Sequence, residues 1–157
     1  MLLVGSAPRG ILVSIEMDAP PTRVWEVLEP VDRHVEWMHD ADTIRFTSEA
    51  HRGVGTTFVC DTRIGPIRLE DHMEITEWEP ERTMGVRHTG LVSGVGRFRL
   101  EAIDLGRRTR FTWVEALTFP WWLGGSVGAT IGGKLALAPL WRRNLRALRR
   151  LVEAPAA

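Results

Sequence analysis

The chain has 157 residues, 44% hydrophobic and 25% charged, an ordinary composition for a single globular domain with a core of its own. Its 20 basic and 20 acidic side chains cancel, so no global field gathers nucleic acid or anionic lipid, and such a role would need a local patch. Cys60 is the single cysteine, which excludes an internal disulfide and any metal site built on paired cysteines, and makes a reducing cytoplasm the simplest setting.

Met1 to Gly10 has no basic side chain ahead of its short apolar run, and no signal peptide is expected. Leu12 to Asp18 alternates, with Val13, Ile15 and Met17 on one face, which predicts a half-buried strand. Pro20 and Pro21 suit a helix's first turn, where a missing N–H costs little. Val24, Trp25, Val27 and Leu28 then give the helix an apolar face, Pro30 ends it, and Val31 to Trp37 predicts a second short helix.

From Asp42 to Phe119 the pattern is strand and turn, with punctuation at Gly53/Gly55, Gly65-Pro66, Glu79-Pro80, Gly90 and Leu105-Gly106. Connections this short join antiparallel neighbours. The expected order is one strand, two short helices, six hairpin-linked strands and a long C-terminal helix. Taking alternate residues, one face of the sheet carries Phe58, Ile67, Leu69, Met73, Ile75, Met84, Val86, Phe98, Leu100, Phe111, Trp113 and Leu117. Only the C-terminal segment is long and apolar enough to cover it.

The stretches VSIEMDAPPTRVWEVL, HVEWM, ITEWEPERTM and WRRNLRALRRLVE resemble the polyketide cyclase/dehydrase branch of the START-like (SRPBCC) superfamily. The shared features are Ala19-Pro20 before the first helix, Trp25 within it, Trp37 after the second, and Trp78-Glu79-Pro80 at a hairpin. The resemblance spans about Ile11 to Val152 and implies an α+β helix-grip fold. In that fold a seven-stranded antiparallel sheet curls around the C-terminal helix, with a hydrophobic cavity between them. It further implies that residues 1–157 form one ligand-binding domain, with its core at about 11–153. Members bind lipids, polyketides, sterols or quinones, and a minority catalyse cyclisation, dehydration or hydrolysis.

No cofactor is expected: GxxxxGK[ST], GxSxG and HExxH are all absent. Gly94 and Gly96, inside a strand, read as a bulge or a close packing contact. His34, Glu36, His39 and Asp40 lack a standard zinc spacing, so no metal site is expected. Cys60 reads as a small buried hydrophobe.

The informative residues are polar ones sharing the apolar face: Asp71 with Met73, His88 with Met84, and Glu115 with Trp113. A charge there is expensive unless it is paired. A turn at Glu79-Pro80 sets Asp71 nearly opposite His88, close enough for a hydrogen bond. The pair could orient a ligand, act as acid and base, or be a structural pair. Glu115 lies on a non-neighbouring strand and reads either as a second anchor or as the lining of a wet mouth. The candidate ligand-binding set is Phe58, Asp71, Met73, Met84, His88, Phe98, Trp113, Glu115 and Gly128.

Residues 119–141, FPWWLGGSVGATIGGKLALAPLW, have the length of a membrane span. Lys134 near the middle would cost about 2.5–3.5 kcal/mol in a bilayer, Pro139 weakens the last turn, and a span would leave the sheet uncovered. The stretch therefore reads as the gripped helix, with the small-residue row Gly124, Gly128, Gly132 and Ala136 as a cavity wall. Beyond Pro139, Trp141, Leu145, Leu148 and Val152 form an apolar stripe, and Arg142, Arg143, Arg146, Arg149 and Arg150 read as a solvated face.

Three functions follow. The first is binding of a polyketide-, lipid- or aromatic-like molecule in a cavity of about 300–1,000 Å³. The second is a cyclase, aromatase or dehydratase using Asp71 and His88. The third is a non-catalytic lipid-transfer or interaction module in weak contact with membranes through Trp121, Trp122 and the arginines of the C-terminal helix. No nucleic-acid partner is expected, and nothing in the pattern specifies an oligomeric state.

Overall fold

The computed structural model describes residues 10–125 and 133–155. Strand β1 (Ile11–Met17) leads into helix α1 (Pro21–Leu28) and a short 3₁₀ helix (Val31–Glu36). Six strands follow: β2 (Ala41–Phe46), β3 (Thr57–Ile64), β4 (Ile67–Glu79), β5 (Thr83–Thr89), β6 (Ser93–Ile103) and β7 (Arg108–Thr118). They form one antiparallel sheet in the order β1-β7-β6-β5-β4-β3-β2. Each hairpin neighbour in sequence is a neighbour in space, and β1 closes onto β7, with Val13 opposite Trp113. The C-terminal helix α2 (Ala138–Glu153) packs against this curled sheet.

Local chemistry accounts for most boundaries. Pro20 takes an extended conformation (φ −69°, ψ 158°) and Pro21 opens α1, where its fixed φ suits the first turn. Trp25 from α1 meets Trp78 of β4 edge to face at 5.2 Å. The second short helix, of six residues, is 3₁₀ rather than α, a form frequent in connectors. Ile67, expected on the covered face, is 41% exposed because it sits at the tip of the β3–β4 hairpin. The remaining apolar residues of that face are buried or half-buried.

Trp121–Leu123 is a 3₁₀ turn, Gly133–Leu137 is π-helical, and α2 starts at Ala138. Gly128 and Gly132 lie outside the described residues. Trp121 and Trp122 are 86% and 54% exposed. Among the described residues, no helix is long and apolar enough to cross a membrane. The stripe of Trp141, Leu145, Leu148 and Val152 is fully in the core, and the five arginines of α2 are exposed. Trp141 stacks on Trp113 of β7 at 4.6 Å, which seats the helix over the sheet.

A single polar side chain interrupts the buried face of α2. Asn144 is fully buried, accepts from the His39 N–H at 3.0 Å and donates to Asp40 Oδ1 at 2.7 Å. It ties the helix to the segment between the 3₁₀ helix and β2. Asn144→Leu strands both partners in the interior, so we expect a loss of about 2–4 kcal/mol of unfolding free energy in urea titrations. A loss below about 0.5 kcal/mol would mean that the two partners find water.

Two features of the sheet shape its inner face. In β4 the register shifts between Ile75, opposite Val86, and Glu77, opposite Gly85. Thr76 is therefore an extra, bulged residue, and both Ile75 and Trp78 can face inward. In β6, Gly94 has φ 139°, and a Cβ there would lie 2.0 Å from the Ala116 carbonyl oxygen. Glycine is the residue that this backbone position admits.

Candidate functional site

Between the sheet and α2 lies a mainly apolar cavity of about 110 Å³, walled by residues that include Phe58, Met73, Met84, Phe98, Trp113 and Trp141. The first five of these belong to the candidate set, and Asp71, His88 and Glu115 also line the cavity. Gly128 is outside the described residues. The space is well below the anticipated 300–1,000 Å³; on its wall Trp113 stacks on Trp141 at 4.6 Å, and Phe98 packs edge to face on Trp113 at 5.2 Å.

The polar residues converge on His88. Its partner across the β4–β5 ladder is Met73, and Asp71 reaches it from two residues further along. The His88 Nδ1–H donates to Asp71 Oδ2 at 2.8 Å. On the other side of the ring, Glu115 Oε1 approaches Nε2 at 3.5 Å. That is an electrostatic contact, longer than a good hydrogen bond. All three side chains are nearly buried, at 5%, 13% and 10% exposure.

Glu115 reaches His88 across an intervening strand. His88 faces Gly94 on β6, and Gly96 faces both Val86 and Glu115. A Cβ at position 96 would lie 2.7 Å from Glu115 Oε1 and 2.9 Å from its Cγ. The missing side chain is the notch through which Glu115 passes. The pair in β6 is thus a close packing contact, and its beneficiary is an acid on the next strand.

Charge follows from this geometry. Burial alone would push the His88 imidazolium to lower pKa, but the Asp71 hydrogen bond and the charges of Asp71 and Glu115 outweigh it and raise the value to about 10. At neutral pH the ring is a cation and a hydrogen-bond donor, so it is not available as a base. Asp71 Oδ1 and His88 Nε2 are buried without a hydrogen-bond partner, and so is the indole Nε1 of Trp113 on the same wall. Buried polar atoms left open on a cavity wall are sites where a ligand's polar end can be held.

The other candidates have structural roles. His34 donates through Nε2 to the Leu28 carbonyl at 2.7 Å, and burial holds its pKa down to about 4, so the ring is neutral. Glu36 pairs with Arg33 at 2.7 Å. The carboxyl of Asp40 is pushed up by burial, an effect partly offset by hydrogen bonds from Asn144 and Trp141. Among the described residues, no cluster of three or more His, Cys, Asp or Glu side chains could hold a metal. Cys60 is buried beside Asp71, and burial raises its thiol to about 12, which makes it an inert wall residue.

Sequence reasoning passed over Asn144 and the purpose of Gly96. The signals were present: an asparagine inside the buried arc of an amphipathic helix, and a glycine facing an inward acid.

A family model described as polyketide cyclase/dehydrase and lipid transport matches residues 11–153. No curated protein matches the chain in sequence. Among solved structures, the chain is similar to the Zhui aromatase/cyclase from Streptomyces sp. R1128, with a TM-score of 0.73, 17% identity, and 92% of this chain and 93% of that one covered. A hypothetical protein from Helicobacter pylori has a TM-score of 0.73 at 14% identity, over 96% and 92% of the two chains. The di-domain aromatase/cyclase BexL has a TM-score of 0.71 at 14% identity, with 94% of this chain matching 50% of that one. At these identities the likeness establishes the fold.

Proposed function

The chain belongs to the polyketide cyclase/dehydrase and lipid transport family, and from that premise we propose that it binds a hydrophobic small molecule between the sheet and α2. Asp71, His88 and Glu115 hold the ligand's polar end. One observation carries this reading: a carboxylate–imidazolium–carboxylate cluster is buried in the wall of an apolar cavity with Asp71 Oδ1 and His88 Nε2 unpartnered. The apolar wall supplies affinity through burial, about 25 cal/mol per Å² before entropy costs. Met38, Met73 and Met84 line the space, and their unbranched side chains can re-pack around ligands of different shape. The 110 Å³ space takes about one ring before they move.

Native mass spectrometry of freshly purified protein tests this. We expect a co-purifying apolar species in the wild type that is lost in Asp71→Asn and His88→Gln. Equal retention by both variants would remove the polar cluster from the site.

The protonated ring favours a second reading, acid chemistry on a bound ketide. His88 Nε2 would give its proton to a β-hydroxyl as the C–O bond breaks. A neighbouring carboxylate would take the α-proton, and water would leave. In that case His88→Gln abolishes turnover of a β-hydroxy ketone while its affinity falls less than about ten-fold. Parallel loss of both would leave His88 as an anchor.

A further inference from the structure

We propose that the cavity selects ligands by charge. It takes ring compounds ending in a neutral hydroxyl or enol, refuses carboxylates, and uses Glu115 as the discriminating residue. The inference rests on the reading of the cavity as a ligand site and adds the class of polar end that the site accepts.

The charges around the cavity are asymmetric. Asp40, Glu70, Asp71 and Glu115 contribute to its lining, against His34, His88 and Arg97. Glu70 is half exposed and pairs outward with His72 at 2.9 Å, and Asp40 is held by Asn144. Arg97 turns outward to Glu77 at 2.7 Å and is 60% exposed. His34 spends its Nε2–H on the Leu28 carbonyl. Among the described residues this leaves one cation facing inward, His88, and two carboxylates on it, Asp71 and Glu115.

One carboxylate suffices to neutralise the ring. Asp71 does so with a direct hydrogen bond at 2.8 Å, so Glu115 brings a surplus negative charge. The fold makes room for that surplus by leaving position 96 without a side chain. A ligand carboxylate entering here would be a third acid beside two buried ones, and like charges in a water-poor site repel strongly. A hydroxyl meets no such penalty. It can accept from the open His88 Nε2–H and donate to Glu115 Oε1, which lies 3.5 Å from that nitrogen.

Titration calorimetry with 2-naphthol and 2-naphthoate at neutral pH tests the inference on the full chain. The probes share a ring system and differ in charge. In the wild type we expect 2-naphthol to bind roughly ten-fold or more tightly. In Glu115→Gln that ratio falls to within about three-fold, chiefly because 2-naphthoate gains affinity. Gly96→Ala, which pushes Glu115 off its position, moves the ratio in the same direction, and a thermal melt of each variant checks that it is folded. Equal or tighter binding of 2-naphthoate by the wild type overturns the proposal and leaves the ligand cavity standing. An unchanged ratio in folded Glu115→Gln removes Glu115 from the role. Failure of both probes, and of the one-ring pair phenol and benzoate, to bind the wild type overturns the ligand cavity itself.

Discussion

His88→Ala loses about 3–5 kcal/mol of unfolding free energy, the cost of leaving two buried carboxylates without their cation. Asp71 and Glu115 sit at 2.8 and 3.5 Å from the ring and are 13% and 10% exposed, so water reaches them poorly. The informative comparison is the triple variant Asp71→Leu, His88→Leu and Glu115→Met. Replacing a whole buried ionic cluster with apolar side chains of similar volume is often neutral or stabilising. We expect that protein to unfold within about 1 kcal/mol of the wild type, or above it, and to keep no preference for a polar ligand end. Urea titrations of the three proteins give the answer. If the triple variant is as unstable as His88→Ala, the cluster holds the fold and its place on the cavity wall needs no ligand to explain it. A triple variant that is stable but indifferent to ligand polarity would show that the cluster is kept for binding.

Stability should pass through a maximum near pH 6.5, because the two buried histidines pull in opposite directions. His88 has a folded pKa raised to about 10 from 6.5. Its contribution is complete below 6.5 and is lost as pH rises through 10. His34 has a folded pKa lowered to about 4 from 6.5. Its contribution is complete above 6.5 and is lost as pH falls through 4. Each flank is worth a few kcal/mol in order of magnitude. Thermal melts from pH 4 to pH 10 should therefore trace a dome. His34→Gln should flatten the acid flank, since glutamine can still donate to the Leu28 carbonyl that His34 contacts at 2.7 Å. His88→Gln should flatten the alkaline flank. A melting temperature level between pH 7 and pH 10 would be incompatible with a buried imidazolium at position 88.

Much of the fold is legible in local pattern. Alternation, turn residues and the Pro20-Pro21 start imply the seven strands and both early helices, because each signal acts within a few residues. The pairing of Asp71 with His88 is legible for the same reason, since parity along two hairpin strands puts them on one face. Glu115 is harder. Its contact with His88 depends on Gly96 of a third strand, a condition that no single segment displays. The inward facing of both Trp78 and Ile75 depends on the bulge at Thr76, which strict alternation cannot express. Cavity size was least legible. The space is bounded by contacts such as the stack of Trp113 on Trp141, which joins residues 28 positions apart in sequence.

That bulge has a bearing on how the chain tolerates change in length. Removing one residue from a strand ordinarily turns every side chain beyond it to the opposite face. Thr76 is the exception in β4. It is exposed and opposes no residue of its own on β5, so its deletion restores a regular ladder and leaves Asp71, Met73 and Ile75 facing inward as before. What such a deletion would remove is the local bend that a bulge imposes. Position 76 is therefore a place where the curvature of the wall can be reset by a single codon without disturbing the side chains it carries. A relative one residue shorter here would hold the same chemistry in a differently shaped room.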